Sequence, residues 1–208
     1  MISIRFNDEG FVAEFDRVSA RLKRPAGLAR VLGRAAVVEL KAHFRRKNRT
    51  PNRLGAPRSH GGRGFWGAVA NAVQSPTITD GGTAVRIAIS HPHYAQKVYG
   101  GTIRAKRGRY ISIPLSVEAY GRTPGQPIPG QVPNFEAATG IRLFLWHRGG
   151  NKFLAAALAG GIKVHYVLKR SVDQKPDSTA FPAKAALLHA LLIRARLYAD
   201  NLEKLGEP

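Results

Sequence analysis

The sequence of 208 residues contains no cysteine. This absence excludes disulfide scaffolds, thiol nucleophiles and metal sites built on thiolates, and it leaves the redox compartment open. Long apolar runs are also missing, since the longest, Phe153 to Ile162, has half the length of the ~20-residue run that a membrane span needs. The amino terminus is amphipathic and acidic, unlike a signal peptide. We therefore expect a soluble protein that is neither exported nor membrane-bound.

Acidic side chains are scarce as well. The chain has 33 Lys and Arg against 13 Asp and Glu, a formal net charge of +20. Residues 40–117 hold fourteen of the basic side chains and one acidic side chain, Asp80. This segment therefore carries about two thirds of the net positive charge. With 44% hydrophobic and 22% charged residues the chain can still bury a core, so we expect it to fold. A surplus of this size indicates a partner that carries negative charge.

Apolar spacing predicts three helices near the amino terminus. The first is predicted to end at the break formed by residues 25–27. It is indicated by four apolar residues at steps of four, three and four: Phe11, Phe15, Val18 and Leu22. The second is predicted from about Leu28 to Phe44, with a mostly apolar stripe: Leu28, Leu32, Ala35, Ala36, Glu39, Leu40 and Phe44. The third is short and is indicated by four residues: Phe65, Trp66, Val69 and Val73.

Alternating apolar residues predict strands in the middle of the chain. Residues 83–90 alternate around Val85, Ile87 and Ile89, with 77–79 as the hairpin partner across Asp80 and two glycines. Further strands are indicated at 101–104, 109–115, 142–147 and 164–169. Residues 48–64 and 121–133 are rich in Pro and Gly and are predicted to be long loops.

Residues 182–205 are predicted to form a closing amphipathic helix. Its apolar positions follow helical steps and are widened by Leu187, Leu191 and Tyr198: Ala185, Leu188, Leu192, Ala195 and Ala199. The order of helices, antiparallel strands and a final helix predicts one α+β domain over residues 1–208.

Catalytic and metal-binding patterns are weak. His91 and His93 form a close pair, but linear spacing supplies no third ligand, and Pro92 favours a turn after the preceding strand. A triad of Ser90, His93 and Asp80 can be assembled on paper, but no nucleophile-elbow pattern surrounds the serine. We therefore expect no enzyme, no metal and no cofactor; a small hydrolase resting on scattered His and Ser is the weakest reading.

The basic segment around residues 41–63 favours nucleic acid or assembly contacts. Its positive side chains could neutralise phosphates without reading sequence. The residues proposed for contact are Arg45, Arg46, Lys47, Arg49, Arg53, Arg58 and Arg63. Phe65 and Trp66 could stack on bases, but their helical spacing with Val69 and Val73 favours core packing.

The run from His93 to Leu115 resembles the central segment of a bacteriophage tail-completion or neck family, the virion morphogenesis proteins that include Mu G-like tail proteins. The matching positions are a Tyr-Ala pair, a Gly-Gly-Thr-Ile run, a basic turn and an Ile-Pro strand: Tyr94, Ala95, Gly100, Gly101, Thr102, Ile103, Lys106, Ile113 and Pro114. Residues 143–145, 149–151 and 164–172 resemble the later pair of strands in that family.

The resemblance implies a structural virion protein without catalysis. Such proteins assemble as rings of six-fold or related symmetry between the tail tube and the head connector. The implied partners are other copies of the chain, the connector and tail-tube proteins, and packaged DNA in the channel. The implied location is the virion tail or neck, and the host cytoplasm during assembly. The alternative is a basic nucleic-acid-binding protein that contacts the phosphate backbone.

The same run also has a physical interpretation. Tyr94–Tyr99 reads as a helical turn, and Gly100 and Gly101 permit positive φ or a close approach of the backbone. The strands that follow are expected to pair as a β-hairpin with its tip at residues 106–108.

Overall fold

The computed structural model describes residues 2–4, 25–58, 64–82, 84–106, 109–125 and 134–204. These residues form an α+β fold with helices towards the amino terminus, antiparallel sheets in the middle and a carboxy-terminal helix, which confirms the predicted class. Contacts divide the chain into two compact units. Unit 1 comprises Met1–Arg46, Ala68–Val98 and Asp177–Pro208, and unit 2 comprises Lys47–Gly67 and Tyr99–Pro176. The expectation of one domain stays a prediction.

The first described helix, α1, spans Pro25–Arg49. Its buried row repeats every four residues: Leu28, Leu32, Ala36, Leu40 and Phe44. The predicted stripe is therefore confirmed, and α1 begins at Pro25, three residues before its predicted start, because proline at the first helical position starts a helix readily. The predicted helix on Phe11 to Leu22 lies outside the described residues.

Four further helices are described. Their bounds are Gly64–Asn71 for α2, Tyr94–Tyr99 for α3, Phe135–Thr139 for α4 and Lys184–Lys204 for α5. Helix α4 was not predicted from the sequence; Asn134 caps it by accepting a hydrogen bond from the Ala137 amide at 2.9 Å. In α5 the buried row is Leu187, Leu191 and Ala195, whereas Ala185 is exposed, so the predicted apolar face is displaced around the helix.

Unit 1 contains a three-stranded antiparallel sheet with the order β1-β3-β2. Its strands are β1 (Ile2–Ile4), β2 (Thr77–Thr79) and β3 (Ala84–Ile89). The predicted hairpin of β2 and β3 is confirmed by the pairing of Ile78 with Val85. Ile87 and Ile89 of β3 are buried, as alternation requires for a strand with one face towards the core.

Unit 2 contains two sheets. One pairs β4 (Gly101–Arg104) with β9 (Ser171–Gln174). The other has the order β5-β8-β7-β6. Its strands are β5 (Ile111–Pro114), β6 (Phe144–Arg148), β7 (Asn151–Leu158) and β8 (Gly161–Lys169). Strands β7 and β9 were not predicted from the sequence. A small core of Ala119, Phe135 and Tyr166 packs with Leu154.

The predicted hairpin of β4 and β5 is wrong. In the described residues β4 pairs with β9, and β5 pairs with β8. Residues 107 and 108 of the predicted tip lie outside the described part, as do residues 126–133 of the predicted loop 121–133. Both β4 and β5 therefore pair with strands that are distant along the chain, and not with each other.

Candidate functional site

The basic residues proposed for contact differ in exposure. Arg45, Arg46 and Arg49 are exposed in the last two turns of α1, and Arg53 is exposed in the turn that follows. Arg58 is half-buried, and its Nε has no hydrogen-bond partner. Lys47 is half-buried with its ammonium 4.0 Å from the centre of the Trp66 ring. Arg63 lies outside the described residues.

Residues 48–64 are not one continuous loop. The first two belong to α1, and Gly64 begins α2. Residues 50–58 form a closed turn in which Asn52 Oδ1 accepts hydrogen bonds from the amides of Leu54 at 2.8 Å and Ala56 at 3.1 Å. Trp66 is buried, as its helical spacing predicted, so its ring is not available to stack on a base. The exposed arginines therefore lie on structured backbone.

Tyr94, the first residue of the family-like motif, is a core residue of unit 1. Its side chain is 0% exposed, and its hydroxyl donates a hydrogen bond to the Ala180 carbonyl at 3.0 Å. The rings of Phe44 and Phe181 each meet it edge-on with centroids at 5.6 Å. Ala95 follows in α3 and is half-buried. This end of the motif is therefore structural.

The glycine pair lies where the chain enters β4. Gly100 has a φ of +72°, and a Cβ on it would lie 2.5 Å from the Gln174 carbonyl oxygen. Gly101 pairs with Gln174, and the Thr102 hydroxyl donates a hydrogen bond to the Asp173 carboxylate. The two glycines thus let the backbone turn sharply against β9.

The remaining motif residues belong to unit 2. Ile103 is 38% exposed on β4, and Lys106 is exposed just after that strand. Ile113 and Pro114 are half-buried on β5, which lies at the edge of its sheet. Proline is tolerated there because an edge strand does not need every amide for pairing. The motif therefore combines one core position, Tyr94, with half-buried positions at Ala95, Ile113 and Pro114, a sharp turn and exposed strand residues.

The structure also brings together a buried pair that the sequence analysis missed. His165 of β8 is fully buried, and its Nδ1 lies 2.8 Å from Ser116 Oγ. Its Nε2 is buried without a hydrogen-bond partner, and its ring centroid is 4.8 Å from that of Phe135. Burial lowers the pKa of His165, as does the Lys163 charge, whereas the Glu118 charge acts in the opposite direction. Ser116 and His165 are forty-nine residues apart in the chain, so no local sequence pattern predicts their contact.

This burial makes the fold sensitive to acid. Because the folded pKa of His165 lies below its ordinary value of 6.5, the unfolded chain binds a proton first, and stability falls as the pH drops below 6.5 towards the folded pKa. We expect the free energy of unfolding, measured by urea denaturation between about pH 7.5 and about pH 5.5, to fall less steeply in H165Q than in the wild type.

The matched control for H165Q replaces His147, an exposed histidine of β6. H147Q also removes one imidazole, but from the surface. An identical slope for H165Q and the wild type would show that the buried ring does not cause the acid sensitivity.

The carboxylate of Glu118 has a pKa below its ordinary value, because a 2.8 Å hydrogen bond from Lys163 lowers that pKa to about 2.

Other clusters offer little chemistry. His91, Pro92 and His93 form the turn after β3, as predicted, and the His93 amide lies 3.3 Å from His91 Nδ1. In the described residues no group of three or more His, Asp or Glu could hold a metal ion. Of the helices that the structure describes, none has the length and apolar character needed to cross a membrane.

Comparison of the chain with protein-family models gave no match, and neither did comparison with curated proteins or with solved structures.

Proposed function

We propose that the chain is a structural protein of a tailed-bacteriophage virion, a tail-completion or neck component that joins the tail tube to the head connector as a ring of identical subunits. The proposal rests on the family-like run from Tyr94 to Pro114. The ends of that run serve the fold, whereas its middle presents apolar side chains to solvent. A protein whose task is assembly needs such a surface on a stable scaffold.

The distribution of exposed apolar side chains supports this proposal. Among the described residues, eight of the eleven large apolar side chains that are exposed belong to unit 2. They are Tyr99, Ile103, Leu115, Val117, Phe144, Leu145, Leu158 and Ile162. Tyr99 is the most exposed, at 69%. A contact between subunits would cover exposed apolar side chains, and most of the described ones belong to unit 2, so we assign this contact to unit 2.

The experiment is sedimentation velocity and negative-stain microscopy of the full chain and of the double variant Y99K/I103K. We expect the wild type to form rings of six-fold or related symmetry. The double variant should remain folded and become monomeric, because two ammonium groups would enter an apolar contact between subunits that are already positively charged. The control is L197K, which adds a charge at an exposed apolar position of unit 1 and should leave the rings intact.

A wild-type chain that stays monomeric at every soluble concentration and binds DNA would contradict the ring and favour the alternative, a phosphate-binding protein. Exposed Arg45, Arg46 and Arg49 favour that alternative. The variant R45Q/R46Q/R49Q keeps Lys47 on Trp66, and should lower the slope of log affinity against log salt by about 2 to 3 if each arginine contacts one phosphate. An unchanged slope would exclude these arginines as the contact.

A further inference from the structure

Unit 1 carries an exposed surface that the proposed ring does not use. A groove of about 800 Å³ lies between α1 and the chain around β2. Its walls combine apolar side chains, among them Val37, Pro76 and Ile78, with the arginines Arg30 and Arg34. The hydroxyl-bearing residues Ser75 and Thr77 complete the lining. The groove is thus lined by apolar side chains, and its α1 side also carries positive charge.

A second groove, of about 250 Å³, lies on the other side of the same part of α1. It separates α1 from α5, and its described lining consists of Val31, Arg34, Ala35, Val38, Glu39, Ala190 and Arg194, of which Glu39 is acidic. Both grooves share Arg34 and Val38. We call these two residues the α1 ridge; Val38 is 60% exposed on it.

The two helices beside the second groove show matching apolar spacing. On α1, Val31, Ala35 and Val38 are separated by four and three residues. On α5, Ala190 is followed at three and seven residues by Ile193 and Leu197, which are 44% and 48% exposed. Apolar residues at steps of three and four are the arrangement into which a further helix inserts its own side chains. The surface therefore fits a helix.

Charge decides which helix can bind. Arg30, Arg34 and Arg194 are exposed around the α1 ridge, and among the described residues that line the two grooves Glu39 is the one carboxylate. A second copy of this chain using the same surface would bring these arginines against their own counterparts, in a protein with a net charge of +20. Like charges placed opposite each other repel, whereas carboxylates placed opposite these arginines would be attracted.

We propose that the α1 ridge and the two grooves beside it are a docking site for an acidic amphipathic helix of another protein. The apolar face of that helix covers Val38, Ile193 and Leu197. Its carboxylates pair with Arg30, Arg34 and Arg194 at the rim. The site is independent of the ring, because it lies in unit 1 and takes a different partner.

The test uses the full chain and a synthetic helical peptide of about three heptads, with leucine at the two core positions of each heptad and glutamate at the flanking ones. Binding is measured by fluorescence anisotropy. A peptide with lysine in place of glutamate and a scrambled glutamate peptide are the ligand controls. We expect only the amphipathic glutamate peptide to bind, and its affinity to fall when NaCl is raised from about 50 mM to about 500 mM.

Variants locate the binding. V38D and R34E should each weaken binding of the glutamate peptide by about tenfold or more. V38D places a carboxylate in the apolar contact, and R34E reverses a charge at the rim. The matched controls are A137D and R142E, which introduce a carboxylate or reverse a charge at exposed positions of unit 2 outside the proposed contact between subunits, and they should alter affinity by less than about twofold. Both pairs change exposed side chains, so folding is checked by circular dichroism.

Several results would overturn the proposal. Equal binding of the scrambled peptide would reveal general attraction to a basic protein, and absence of binding by the amphipathic glutamate peptide would remove the site. Equal weakening of peptide binding by A137D and V38D would place binding elsewhere. A change in self-association caused by V38D, with rings or monomers altered in the absence of peptide, would assign the surface to a second copy of the chain.

Discussion

Replacement of Gly100 by alanine is expected to lower the free energy of unfolding by at least about 3 kcal/mol. The left-handed backbone at φ +72° costs an L-residue roughly 1–2 kcal/mol. The new Cβ would also lie 2.5 Å from the Gln174 carbonyl oxygen and 3.0 Å from the Pro176 nitrogen. These are backbone atoms, so relief requires β9 to move and disturbs its pairing with β4. Chemical denaturation of the variant measures the loss.

Gly149 provides the matched control. It has a φ of +55° in the turn between β6 and β7, and a Cβ there would meet no atom within 4 Å. G149A therefore carries the conformational cost alone, about 1–2 kcal/mol. If G100A and G149A lose the same stability, the close approach to β9 contributes nothing, and the explanation of Gly100 is wrong.

Truncation of Tyr94 to alanine should cost about 3–5 kcal/mol, because it empties a fully buried site between Phe44 and Phe181. Y94F keeps the ring and removes only the hydrogen bond to the Ala180 carbonyl, so we expect a loss of about 1–2 kcal/mol. Comparing the two variants by urea denaturation separates packing from hydrogen bonding.

The control for Tyr94 lies at the other end of the same helix, α3. Tyr99 is 69% exposed, and Y99A should change the free energy of unfolding by no more than about 0.5 kcal/mol. A loss in Y99A as large as that in Y94A would mean that the stability of α3 itself, rather than burial of one ring, governs the effect.

These two predictions bear on how the family-like run should be probed. Substitutions at Tyr94 or Gly100 would affect assembly through lost stability of the fold and would say nothing about contacts. Tyr99 and Ile103 lie in the same run but are exposed. Loss of rings with retained stability in Y99K/I103K would therefore separate the assembly role from the folding role of this segment.

Several elements could be predicted because their signal is local. The buried row of α1 repeats every four residues, so one face of the helix is visible in the sequence. The hairpin of β2 and β3 follows from alternation on both sides of Asp80 and two glycines. The short helix α3 was also predicted with its observed bounds.

Other elements could not be predicted from local pattern. β7 contains the run Ala155, Ala156 and Ala157, in which the first two are both buried, so it shows no alternation. The apolar face of α5 is wide enough in sequence to allow several orientations, and only packing selects Leu187, Leu191 and Ala195.

The sequence alone determined the basic surplus, because net charge is a property of composition. It also determined the helical period of α1 and the alternation of β3, because these patterns involve residues that are close along the chain. Strand partners were decided by the tertiary structure: β4 pairs with β9 across about seventy residues, and Ser116 meets His165 across forty-nine. An open strand edge offers the same amides and carbonyls to any partner. Burial of side chains from distant segments therefore selects among pairings that the local sequence leaves equal.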